Sequence, residues 1–288
     1  MTDQRLASFI NKLDSDPSYR PDAHSCVELL RLMRKARVHR SDIVARVGQI
    51  ALNASGVSAD ERYTIAEQVF VDALYVCDDS VADLCLQMLV GAFPGSSRVK
   101  RLLGMKLESE QKYNEALKIY DELLTENPLN LLVMKRKVCV YRDSGNDEKA
   151  IETLNEILKI FASDTSSWQE LAEMYLLLKD FKAAAFCYEE LVLLDPQNPF
   201  NHSRLGDIYY TIGGAEGALR ARKHYTFSLS LLSPHLNPRA LKGLKASSAM
   251  LEMVYNQSTS EEAGADSNEA KEARAVNKEL LAWANEQK

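Results

Sequence analysis

The chain has 288 residues, of which 46% are hydrophobic and 26% charged, so it is a globular protein and not a disordered one. Its net charge of −6 argues against a nucleic-acid partner, because phosphate binding wants a basic surface. The five cysteines are scattered, odd in number and form no C-x-x-C pair, which fits reduced thiols on helix faces.

The N-terminal residues MTDQRLASF contain no basic stretch leading into an apolar run, and no segment reaches the roughly 20 apolar residues that cross a bilayer. The expectation is therefore a soluble cytosolic chain with no direct membrane span. Leu6, Phe9, Ile10 and Leu13 mark a first helix, which ends at a turn holding Pro17 and Pro21. Val27, Leu30, Leu32 and Met33 predict a helix from His24 to Arg37, and Ile43, Val44, Val47, Ile50 and Leu52 predict the next, capped by Ser41 or Asp42. Residues 1–62 read as a degenerate N-terminal helical unit, in which Gly48 stands where a small alanine is expected.

From residue 63 the chain repeats at one constant interval. Ala82, Ala116, Ala150 and Ala184 are in register, as are Pro94, Pro128, Ala162 and Pro196. The clearest unit is 165–198, where Trp168, Leu171, Ala172, Tyr175, Ala184, Tyr188, Leu191 and Pro196 fill the positions of a tetratricopeptide repeat. The alanine is where the second helix of the pair crosses the first, and the proline ends the second helix. Repeats are placed near 63–96, 97–130, 131–164, 165–198 and 199–235, with an extra helix over 237–255. In the repeat that starts at Pro199, Ala221 and Tyr225 fall three residues late, and the reading is a longer loop around Gly213-Gly214. Residues 256–269 carry no large apolar side chain and read as a flexible linker. Residues 270–286 return to helix, with Ala273, Val276, Leu280 and Trp283 on one stripe that would cap the last unit or dock on a partner. The fold class is all-α: a solenoid of antiparallel helix pairs expected to wind as a right-handed superhelix.

No catalytic set is present. The histidines are far apart in the sequence, and there is no H-E-x-x-H, G-x-S-x-G or phosphate-cradling glycine loop. Neither a cofactor, a metal nor a small-molecule substrate is expected, and the protein is not expected to be an enzyme. A groove lined by the first helix of each repeat is the candidate binding surface. Its positions are Arg98, Arg101, Met105 and Glu108; then Leu132, Lys135, Cys139 and Arg142; then Ser166, Gln169, Glu173 and Leu176; then Phe200, Ser203, Asp207 and Tyr210. One end is basic, and the expected occupant is an acidic or mixed peptide. The places that grip a C-terminal carboxylate in heat-shock co-chaperones hold Arg101, Met105, Arg136, Ser166 and Glu170 here, so that clamp is missing.

Beyond the repeat itself, FPGSSRVKRLLGMKLESEQKYNEALKIYDELLTENPLN (Phe93 to Asn130), KRKV (Lys135 to Val138), WQELAEMYLLLKDFKAAAFCYEELVLLDPQNP (Trp168 to Pro199) and YTIGG (Tyr210 to Gly214) resemble subunit 2 of the endoplasmic-reticulum membrane protein complex. The resemblance spans about residues 63–232 and includes loop residues that the repeat does not demand. It implies a non-catalytic scaffold on the cytosolic side of that membrane, peripheral, held by membrane-embedded subunits and paired with a soluble one. The complex so implied inserts tail-anchored and multispanning proteins. The alternative reading is a cytosolic client-binding chaperone or adaptor, for which Met105, Leu132, Phe200 and Tyr210 would supply an apolar groove.

Overall fold

The computed structural model describes residues 2–16, 18–261 and 268–287. Every regular element among them is a helix: α1 (Thr2–Ser15), α2 (Ala23–Ala36), α3 (Ser41–Leu52), α4 (Ala59–Tyr75), α5 (Asp79–Ala92), α6 (Ser97–Ser109), α7 (Tyr113–Glu126), α8 (Leu131–Asp143), α9 (Asp147–Ile160), α10 (Thr165–Leu177), α11 (Phe181–Leu194), α12 (Pro199–Ile212), α13 (Gly214–Leu231), α14 (Pro238–Glu261) and α15 (Asn268–Glu286). The helices α6, α8 and α10 start at Ser97, Leu131 and Thr165, and α7, α9 and α11 start at Tyr113, Asp147 and Phe181, both sets evenly spaced.

Local chemistry explains those starts. Asp78, Asn130, Asn146, Asp164 and Asp180 each accept a hydrogen bond from the backbone amide three residues on, satisfying a donor that the first turn leaves unpaired. Pro199 stands at the first position of α12, where its missing amide hydrogen costs nothing. The turn inside each pair is also periodic. Cys77, Gln111, Gly145, Lys179 and Gly213 all have positive φ, and they recur at the same interval as the helices. Within a unit a left-handed residue there reverses the chain between antiparallel helices, and only two of the five are glycine.

The chain forms two compact units, Met1–Gly145 and Asn146–Lys288. In the first, a core of buried side chains runs from Leu6 and Leu13 through Leu29, Leu30, Ile43, Ile65 and Phe70 to Leu102. A second cluster, around Ala116, Tyr120, Leu123, Val133 and Val140, lies under α7 and α8. At Gly48 an added Cβ would stand 2.8 Å from Val69, so α3 and α4 cross with no room for a side chain. At Gly104 it would lie 2.5 Å from the Tyr120 ring. In the second unit the Tyr225 ring occupies the spaces left by Gly206 and Gly243. Ala82, Ala116, Ala150 and Ala184 are all fully buried. Tyr188 is 6% exposed, whereas Trp168 and Tyr175 are half-buried. The indole nitrogen of Trp168 donates to the Ala162 carbonyl at 2.8 Å, closing the turn that precedes α10.

Three sequence expectations change. The extra residues near Gly213-Gly214 do not lengthen a loop. Only Gly213 separates α12 from α13, and the insertion becomes an added helical turn at the start of α13, which spans 18 residues where α11 spans 14. Gly213 permits this, since its φ of 82° and ψ of −168° are open to glycine alone. Next, α14 continues to Glu261, beyond the Tyr255 where the sequence reading stops it, and α15 begins at Asn268. Pro17 and the central linker residues 262–267 lie outside the described residues.

The third change concerns α15. Val276 and Trp283 are 47% and 39% exposed while Ala273 and Leu280 are half-buried, so the apolar stripe only borders the packed face. Asn277 and Ala284 are buried instead. Asn277 accepts from the buried Arg222 guanidinium at 2.9 Å and donates to the Ser248 carbonyl at 2.9 Å, which joins α13, α14 and α15 through one side chain. Apolar periodicity finds a helix, but a buried amide can outweigh it in choosing the docked face.

Because Ala184 has no exposed surface, Ala184→Leu is expected to overpack its helix crossing and cost about 1–3 kcal/mol. Chemical denaturation measures this directly, and a wild-type midpoint would mean that the register is misplaced.

Candidate functional site

In the first unit the inner helices α2, α4, α6 and α8 present a strongly charged surface. Arg98, 68% exposed, pairs with Glu67 on α4 at 2.5 Å, and Arg101 lies 3.7 Å from the same carboxylate. The basic end of the expected groove is thus partly neutralised from within. Arg98, Arg101 and Ser97 from α6 meet Asn130 and Leu132 from the start of α8 around a cavity of about 350 Å³, with Leu132 59% exposed on its rim. Met105 packs partly against the core, and Glu108 is buried, accepting from the Tyr120 hydroxyl at 2.5 Å and pairing with Arg136. Lys135 and Cys139 are half-buried and Arg142 is exposed.

A larger cavity, about 410 Å³, was missed by sequence reasoning. Met33, Arg34, Arg37, Val38 and His39 line it together with Glu67, Val71, Asp72 and Arg98. Its signal was in plain view: RLMRKARVHR (residues 31–40) carries five arginines and lysines. Arg34 is held by Glu61 at 2.5 Å and by Gln68 at 2.9 Å.

The fold also gathers a serine, a histidine and an aspartate beside this cavity. Ser41 donates to Asp72 at 2.7 Å, and His39 Nδ1 lies 3.1 Å from the same carboxylate oxygen. Nucleophile activation needs the imidazole between serine and acid, with one ring nitrogen on each. Here both groups converge on one oxygen of the acid, so the cluster ties the α2–α3 connection to α4. Burial pushes the Asp72 carboxyl up, opposed by the Ser41 hydrogen bond and by His39. Burial likewise raises the thiols of Cys26, Cys85 and Cys187, to about 11, 12 and 12, which leaves them poor nucleophiles at neutral pH. Among the described residues no three histidine, cysteine or acidic side chains are placed to hold a metal ion.

In the second unit Gln169 and Glu173 on α10 are exposed, and Phe200 and Tyr210 on α12 are 60% and 38% exposed. Asp207 is engaged internally: it accepts from Tyr225 at 2.7 Å and from Arg239 at 2.5 Å, fastening α12 to α13 and α14. Behind this face His202 Nδ1 and His224 Nδ1 are 3.2 Å apart, and His202 Nε2 is 3.1 Å from the Pro196 carbonyl. A carbonyl only accepts, so the His202 proton resides on Nε2, and His224 donates to its partner's Nδ1. Burial, followed by the neighbouring His202, lowers His224 to about 4.

Stacked two-helix units at a constant sequence interval, tyrosines packed on small residues and an exposed inner-helix surface define a tetratricopeptide-repeat-like protein. Residues 80–231 match the family model described as the EMC2 TPR-like repeat domain. The chain is 40% identical over 220 residues to ER membrane protein complex subunit 2-A of Xenopus laevis, covering 76% of this chain and 73% of that one. It is 33% identical over 199 residues to the TPR repeat protein oca3 of Schizosaccharomyces pombe, covering 68% and 71%. To ER membrane protein complex subunit 2 of Dictyostelium discoideum it is 31% identical over 210 residues, covering 72% and 65%. The chain belongs to the family of ER membrane protein complex subunit 2. No helix among the described residues is long and apolar enough to cross a membrane.

The histidine pair gives this unit a defined acid response. A folded-state value of about 4, below the ordinary 6.5, means that the unfolded chain binds the proton more readily. The contribution of neutral His224 is therefore complete above pH 6.5 and is lost as pH falls towards 4, by up to about 2 kcal/mol once solvent screening of a half-buried ring is allowed for. Denaturation across pH 4–7 is expected to show this slope in the wild type and not in His224→Phe; parallel curves would contradict it.

Proposed function

We propose that this chain is a non-catalytic scaffold subunit of an ER membrane protein complex, peripheral on the cytosolic side and held there by its partners. The observation that carries the reading is the 40% identity over 220 residues to a relative whose name places it in that complex. The absence of a membrane-crossing helix among the described residues is compatible with attachment through other subunits. In this role the inner-helix surface seats cytosolic segments of membrane-embedded subunits, and a soluble subunit binds alongside. The chain then supports insertion of tail-anchored and multispanning proteins by holding the assembly together, without chemistry of its own.

The cations along α6 and α8 suit an acidic or mixed segment, since Arg98 and Arg101 share one carboxylate, that of Glu67. Two exposed aromatics, Phe200 and Tyr210, favour a second reading in which apolar clients are bound directly. Arg101→Glu combined with Lys135→Glu separates the two. The scaffold reading expects co-purification of membrane subunits to fall at least fivefold while the melting temperature stays within a few degrees. Unchanged co-purification would remove the basic surface from the account. Crosslinking of a tail-anchor peptide to the isolated chain would instead favour direct client capture.

A further inference from the structure

The three-residue insertion in the fifth repeat builds one wall of a cavity between α11, the end of α12 and the start of α13. Its added turn starts at Gly213 and Gly214, both at positive φ, and brings Gly217 so close to the end of α12 that a Cβ there would lie 2.7 Å from the Tyr209 carbonyl oxygen. One turn further on, the Arg220 guanidinium lies over the Tyr209 ring, 5.3 Å from its centroid. Arg220 also pairs with Glu216 at 2.5 Å, and the Tyr209 hydroxyl donates to Glu189 on α11. These groups wall one side of a space of about 300 Å³, and Ala185, Phe186 and Ile212 wall the other. None of the expected groove residues lines it.

The lining restricts what fits. Phe186 and Ile212 are apolar yet 54% and 38% exposed, and Trp168 meets Phe186 edge to face at 6.0 Å, extending the apolar rim. The volume lies at the small end of ligand pockets and has room for one large side chain. Glu189, Tyr209, Arg220 and Glu216 satisfy one another. Lys182 on the rim is the one charged side chain of the lining with no ion pair or hydrogen bond among the described residues. A chain of net charge −6 is poorly suited to seat on an anionic lipid surface.

We infer that this cavity is a second docking seat, outside the inner-helix surface, for a partner protein segment that inserts one bulky apolar side chain between Phe186 and Ile212 and sets an Asp or Glu against Lys182. The anchor supplies burial and the carboxylate supplies orientation, the usual division of labour in a small interface.

The test places the photocrosslinker p-benzoylphenylalanine at position 186 of the full-length chain, in cells that make the protein, and maps the adduct by mass spectrometry. Position 186 is more than half exposed, so the core is untouched. The expected adduct is one polypeptide segment with a bulky apolar residue within four positions of an Asp or Glu. Lys182→Glu is expected to cut its yield at least fivefold, and Lys at the mapped acid to restore it. Ile212→Glu is expected to cut the yield independently, whereas Arg101→Glu with Lys135→Glu is expected to leave it, which separates this seat from the inner-helix surface. An adduct to lipid, no adduct, a segment without an acid near the contact, or indifference to Lys182→Glu would overturn the inference.

Discussion

Close approach of helix backbones where a side chain is missing is the constraint on which each unit depends. Gly104 and Gly206 leave the hollows that the Tyr120 and Tyr225 rings fill, and Gly243 closes over Tyr225 from α14. Interiors are packed too densely for a methyl group to be added at such a point without displacing its neighbour. Polar locks follow from the same proximity. The Tyr120 hydroxyl reaches the buried Glu108, and the Tyr225 hydroxyl reaches Asp207. A tyrosine seated on glycine therefore fixes both the helix crossing and the position of a carboxylate on the inner helix.

That coupling separates what the inner surface can offer a partner from what it must keep for itself. Asp207 and Glu108 stand at inner-helix positions but serve the fold, one holding Tyr225 and Arg239, the other Tyr120 and Arg136. Arg98, Leu132, Gln169, Glu173 and Phe200 remain exposed. In the second unit the fifth repeat departs from the pattern twice. Its insertion extends α13 by a turn, and Arg222 on that helix then finds Asn277 on α15. A buried guanidinium held by an amide gives α15 an orientation that its apolar residues would not select, leaving Val276 and Trp283 outward.

Much of this was legible in the residues. The constant interval, the alanines and the prolines locate the helix pairs, because backbone proximity and helix termination admit few residue types. The left-handed turns were not legible, since Cys77, Gln111 and Lys179 carry no glycine signal and are held positive by the turn itself. The Gly213-Gly214 step was visible as an irregularity, but sequence does not say whether extra residues lengthen a loop or a helix. The centre of the docked face of α15 was not legible because periodicity weighs apolar residues and ignores a satisfied amide such as Asn277. Within the candidate site, spacing found the inner-helix positions. It could not find Glu67, which belongs to the preceding repeat and meets Arg98 and Arg101 only in the folded chain.

The central claim is that partners hold at a membrane a chain with no membrane-crossing helix among its described residues. Its most direct test is a high-salt wash of the membrane fraction, followed by solubilisation in mild detergent and sizing of the released protein. The account predicts that the chain stays with the membranes through the wash and elutes in an assembly several times its own 32.3 kDa. Recovery in the soluble fraction as a monomer would contradict it.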